Sequence, residues 1–114
     1  MIKIDPQNLT FLAKGISENH KNVMVNEVND HCLRLAVMQD ATYDWHQHPN
    51  SDELFIVLEG ELTVEFGDNK SVVLTPGDSF TVQAGKTHRT IAKGRTVNLC
   101  FETTKAETVF TAGG

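Results

Sequence analysis

The chain has little of what would mark it as stapled, nucleic-acid-binding or membrane-spanning. It holds only two cysteines, Cys32 and Cys100, among 114 residues, too few for a disulfide framework. The opening stretch MIKIDPQNLTF has one lysine and no apolar core of the kind an export signal needs. Both thiols are therefore expected to be free, in a cytoplasmic protein. No apolar run approaches the ~20 residues of a membrane span. The net charge is −5 without a dense Lys/Arg cluster, which argues against nucleic acid as a partner, because phosphate binding needs local cationic density. No glycine-rich phosphate loop follows a strand, and no Ser or Cys nucleophile is paired with a base. No long amphipathic helical pattern alternates with the strand-like runs, which excludes a parallel βαβ architecture. Internal repeats, low-complexity segments and linkers are missing too. Residues 1–114 read as one domain, with a barrel core at about 22–103.

What is present is a series of short β-like runs separated by turn residues. NVMVNEVNDHCLRLAVM reads as a hairpin turning at Asn29-Asp30, residues that tolerate left-handed backbone. ATYDWHQH alternates and is rich in β-favouring residues. ELFIVLEGELTVEF is broken at Gly60, so it predicts two strands or one bent sharply. SVVL and SFTVQ follow, then THRTIA and TVNLCFE on either side of Lys93-Gly94. About nine or ten strands at this spacing suggest an all-β sandwich or barrel. Only Asp5-Pro6 offers a helix start, for a short segment through about Lys14 ended by Gly15. Thr10 and Phe11 suit a strand equally well.

Four residues carry most of the chemistry. His46 and His48 lie in WHQHPNSDELFIVLEG, with Glu53 five residues after the second histidine. Residues two apart on a strand share a face, so the two imidazoles stand roughly 7 Å apart at their backbones and both can lean toward one ion. Pro49-Asn50-Ser51-Asp52 forms a turn that brings Glu53 back beside them. His88, in PGDSFTVQAGKTHR, has to come from a strand distant in sequence, which a closed barrel can supply. Three imidazoles and a carboxylate suit a divalent transition metal: Zn takes four ligands, while Fe, Mn or Ni takes six and leaves open positions. His20 and His31 have no partner pattern and are expected on the surface or in turns.

These residues resemble the cupin motifs. His46-x-His48-x4-Glu53-x6-Gly60 matches the first, and Gly77-x5-Gln83-x-Gly85-x2-His88 matches the second in most places, sixteen residues on. Asp40 stands where a glycine is usual six residues before the first ligand, Gln83 where proline is usual, and Ala92 where the closing asparagine is usual. The resemblance covers essentially the whole chain and is to small single-domain bacterial cupins. It implies an all-β jelly-roll barrel with one divalent metal inside, held by His46, His48, Glu53 and His88, and a homodimer. A strand apolar on both faces, as in ELFIVL, is covered on both, by the other sheet or by a partner.

Counting in twos from the ligands gives the pocket candidates. Phe55 follows Glu53, and Arg34 and Met38 share a face of the strand before the histidines. Asn98 and Cys100 lie on one face of TVNLCFE, with Val97, Leu99 and Phe101 on the other; the pattern leaves open which face looks inward. Met38, Phe55 and Phe80 are equally core material. Arg34, if inside, needs an anion such as a substrate carboxylate. Lys86 and Arg89 flank His88 at loop and alternate-face positions and are expected to face solvent, which leaves a phosphosugar without its cations. Dimethylsulfoniopropionate lyases share this ligand set but carry a tyrosine base two residues after the glutamate; here that residue is Phe55, so no such cleavage is expected. Two function classes remain. One is a metal-dependent enzyme on a small organic molecule, dioxygenase- or isomerase-like. The other is a non-catalytic ligand-binding or metal-holding barrel.

Overall fold

The turn residues divide the chain into eight strands and one short helix in a computed structural model that describes residues 5–112. These are α1 (Leu9–Lys14), β1 (His20–Val28), β2 (His31–Thr42), β3 (His46–Gln47), β4 (Glu53–Phe66), β5 (Ser71–Leu74), β6 (Ser79–Val82), β7 (His88–Thr103) and β8 (Val109–Phe110). Every pairing is antiparallel. The architecture is a jelly-roll barrel. β7 is its spine, pairing with β2, β3 and β4. β4 in turn pairs with β5 through its C-terminal half and β6 through its N-terminal half.

Strand number differs from the sequence expectation because two breaks are bulges. ELFIVLEGELTVEF forms the single strand β4, and HRTIA through TVNLCFE lies within the single strand β7. At Gly60 (φ +81°) the register against β7 shifts while the ladder continues. A side chain there would collide with the Arg95 carbonyl oxygen and lie 2.9 Å from the Thr96 Cα, so the close approach of β4 to β7 requires glycine. Asp40 (φ +44°) sits at a bulge in β2 and keeps the left-handed backbone its family counterpart glycine would supply. A short polar side chain makes this tolerable, and the Asp40 carboxylate accepts the Gly94 amide at 2.7 Å. The strand expected across ATYDWHQH is also interrupted: β2 ends at Thr42, and β3 covers only His46 and Gln47.

The helix starts later than the Asp5-Pro6 signal implied. Asn8 is the cap, its side chain accepting the Phe11 amide at 2.9 Å, the bond that makes Asn a strong N-cap. The end at Gly15 is as expected. Arg95 donates to the carbonyls of Ala13 (2.7 Å) and Ile16 (3.1 Å) and so fastens the helix end to β7.

Two apolar layers result. Leu35, Val37, Val97 and Leu99 pack outward with Val25 against Ala13 and Ile16 of the helical segment, and Ile56 and Leu58 join them. Met38, Phe55, Val57, Leu62, Val64 and Cys100 pack inside the barrel, with Phe80 against them. The doubly apolar run of β4 is thus covered inside by the barrel, and on its outer side Ile56 and Leu58 join the layer that includes the N-terminal segment. Cys32 and Cys100 are buried free thiols.

Candidate metal centre

The barrel brings the four predicted residues together. His46 of β3 stands directly opposite His88 of β7. His48 lies just past β3, where its carbonyl accepts the Gly85 amide at 2.9 Å, so the second motif's glycine holds the first motif's histidine. Glu53 opens β4 beside Val82 of β6. All four are buried, and their ligand atoms lie within 4.8 Å of one another. Ligands at about 2.1 Å from one ion stand at most ~4.2 Å apart, so the group is already near coordination spacing.

The histidine tautomers decide what the cluster can hold. His46 Nδ1 donates to the Asp44 carbonyl at 2.7 Å, His48 Nδ1 to the Glu107 carbonyl at 3.0 Å and His88 Nδ1 to the Lys86 carbonyl at 2.9 Å. A carbonyl only accepts, so each ring carries its proton on Nδ1 and, when neutral, presents a lone pair at Nε2. Glu53 Oε1 lies 3.2 Å from Nε2 of both His48 and His88. His48 Nε2 is buried without a properly directed hydrogen bond, despite that proximity. Three lone pairs and a carboxylate in a closed space call for a cation between them. The donor set therefore fits a transition metal, and the backbone carbonyls supply the outer hydrogen bonds that orient metal-binding imidazoles.

Without an ion, a proton on His48 balances Glu53 instead. Contact with Glu53, working against burial, pushes the His48 imidazolium up to about 9. Burial alone would raise Glu53, but contacts with His48, His88 and Cys100 hold it well below the usual carboxylate range. Burial lowers His46, aided by the neighbouring imidazoles. Cys100 donates its thiol to Glu53 Oε2 at 2.9 Å. Burial and the Glu53 charge push that thiol far up, so it stays a donor and leaves Oε1 to face the histidines.

A cavity of about 460 Å³ opens beside the cluster, and Arg34, Met38, Phe55 and Cys100 all line it. Asn98 lines it as well, so the Asn98–Cys100 face of β7 looks inward. His20, expected only on the surface, reaches the rim. His31 stays outside, bonded to Asp30 at 2.8 Å and stacked on Phe101. Lys86 is exposed, but Arg89 is half-buried rather than solvent-facing, paired with Glu65 at 2.6 Å beneath the Trp45 ring. The segment after β7 was missed altogether. It supplies the Glu107 carbonyl to His48 and Ala106 and Thr108 to the cavity wall, and Asn50 ties it down through Lys105 and Glu107. A backbone carbonyl leaves no side-chain signature. Asn50 looked like an ordinary turn residue.

A jelly-roll barrel with three histidines and a glutamate turned inward defines a class, and the similarities agree. The chain belongs to the cupin family: residues 34–101 match the cupin domain. It is 54% identical over 103 residues to the uncharacterised protein YdbB of Bacillus subtilis, covering 90% of each chain. A cupin-2 domain protein from Shewanella frigidimarina superposes with a TM-score of 0.79 at 26% identity, over 85% of this chain and 93% of that one. The dimethylsulfoniopropionate lyase DddQ of Ruegeria pomeroyi gives 0.69 at 20% identity, over 83% of this chain and 53% of the lyase, a likeness of fold alone. No helix among the described residues is long and apolar enough to cross a membrane.

Proposed function

We propose that His46, His48, Glu53 and His88 bind one divalent transition metal, Fe, Mn, Ni or Zn, and that the chain is a metal-dependent enzyme acting on a small organic molecule, with dioxygenase- or isomerase-like chemistry. The observation that carries this reading is the fixing of all three imidazoles as Nδ1–H tautomers by backbone carbonyls. When bound, the ion supplies Lewis acidity or, if redox-active, one-electron chemistry. The three histidines would hold it through Nε2 and Glu53 through Oε1, with Cys100 steadying the other carboxylate oxygen. Met38, Phe55 and Leu62 give the cavity an apolar wall that limits water around the substrate. A non-catalytic, metal-holding barrel is the second reading, favoured by the complete burial of His88; a tightly closed Zn would support it.

The protein is further proposed to act as a single domain in the cytoplasm, where its free thiols stay reduced, and as a homodimer. Phe11, Met24 and Val28 are exposed apolar residues around α1 and the edge strand β1 that a second barrel would cover.

The test is metal content per chain of untagged protein reconstituted with Fe, Mn, Ni and Zn, alongside the four single alanine variants. One ion per wild-type chain and loss of it in each variant supports the site. Substoichiometric metal in the wild type, or full occupancy in His88→Ala, overturns it.

A further inference from the structure

The cavity has a second chemical end. Arg34 of β2 stands opposite Cys100 of β7, and Asn98 lies two residues earlier on the same inward face. Arg34 lines the cavity half-buried and has no ion-pair partner among the described residues. Asn98 is 3% exposed, yet its Oδ1 has no hydrogen-bond partner, and neither has Glu102 Oε2. Buried polar atoms are normally satisfied, so a cation and two acceptors left open around one cavity describe the complement of a ligand.

We infer that the cavity takes a small dihydroxy-monocarboxylate, its carboxylate on Arg34 and its two hydroxyls donating to Asn98 Oδ1 and Glu102 Oε2, with its carbon skeleton against Met38 and Phe55. The planar guanidinium offers paired donors that match a carboxylate. The two open acceptors each need an N–H or O–H. A phosphate fits less well, because Glu53 and Glu102 line the same cavity and a single arginine faces a dianion. Two hydroxyls meet the two acceptors without bringing a second cation next to Arg34, as an ammonium group would. The inference rests on the proposed function in taking the four-residue cluster as the reacting end of the cavity.

Binding by calorimetry to the Zn-reconstituted full-length protein tests it, with glycerate as probe and propionate, alanine and glycerol phosphate as comparators. Glycerate is expected to bind at least tenfold more tightly than each comparator. Arg34→Gln should lose at least tenfold for glycerate with zinc content unchanged, and Arg34→Lys, which keeps the charge and guards against misfolding, should fall between. Asn98→Ala should bring glycerate down toward propionate. Equal binding of glycerate and propionate, tighter binding of alanine or glycerol phosphate, no glycerate binding by the wild type, or full affinity in both Arg34 variants overturns the inference. Arg34-dependent glycerate binding by a protein that takes up no metal would sustain it and overturn the metal reading instead.

Discussion

The two faces of β7 are buried to a similar depth and built from opposite chemistry. Outward, Val97 and Leu99 meet Leu35 and Val37 in a wholly apolar layer under the N-terminal segment. Inward, His88, Thr90, Asn98 and Cys100 are equally inaccessible. The outer layer asks nothing of water or ligand and stabilises the barrel by removing apolar surface from solvent. The inner one retains polar atoms without partners, which burial penalises. Equal burial with unequal satisfaction separates the part that folds the chain from the part proposed to bind a ligand.

Breaking the outer face should have the largest effect. Leu35 is completely buried, and Leu35→Ala should lose about 2–5 kcal/mol of unfolding free energy in urea, with metal uptake by the folded fraction unchanged. His88→Ala should do the reverse. Metal affinity falls by at least tenfold, ~1.4 kcal/mol, while the urea midpoint of the metal-free protein moves less than for Leu35→Ala.

A smaller effect should appear with pH in the metal-free protein. His48 is raised from 6.5 to about 9, so its stabilising proton is fully present below about 6.5 and is lost as pH rises toward 9. Glu53 is lowered from 4.5, so its contribution is present above that value and is lost as pH falls through and below it. The contribution of this pair to thermal stability should therefore be greatest between about 4.5 and 6.5 and decline toward 9, while His46, kept neutral by burial, subtracts from stability as pH falls below about 6.5. Metal displaces the His48 proton, so metal affinity should rise over the interval in which metal-free stability falls. A flat melting temperature from 6.5 to 9 would contradict the His48–Glu53 pairing. The smallest expected signal is dimethyl sulfide release from dimethylsulfoniopropionate, which should not exceed that of metal alone, because Phe55 has no proton to exchange. Tyr43 also lines the cavity, and release well above the control, lost in Tyr43→Phe, would show a phenol serving from the connection between β2 and β3.

The inner face was legible in the sequence wherever side chains carry the signal. The spacing of His46, His48, Glu53 and His88 marks the cluster, and the period of two put Phe55 inside with Glu53 and grouped Arg34 with Met38. Choosing the inward face of β7 needed the register of Arg34 against Cys100, 66 positions apart, which local sequence does not announce. The pattern left open whether Gly60 ended a strand or bent one, and Asp40 fell between two expected strands, because local turn chemistry cannot show that a ladder resumes beyond it. The Asn8 cap was overlooked because Asp5-Pro6 gave a stronger start signal three residues too early. The Glu107 carbonyl was invisible for a simpler reason: every residue has one.

The central claim is that three Nε2 atoms and one carboxylate oxygen surround a single ion. X-ray absorption spectroscopy of the zinc-reconstituted protein tests this directly, because imidazole rings give a multiple-scattering pattern and sulfur a longer, heavier shell. The account predicts three imidazoles plus oxygen at about 2.0–2.2 Å and no sulfur. Fewer imidazoles, or a sulfur shell near ~2.3 Å from Cys100, would contradict it.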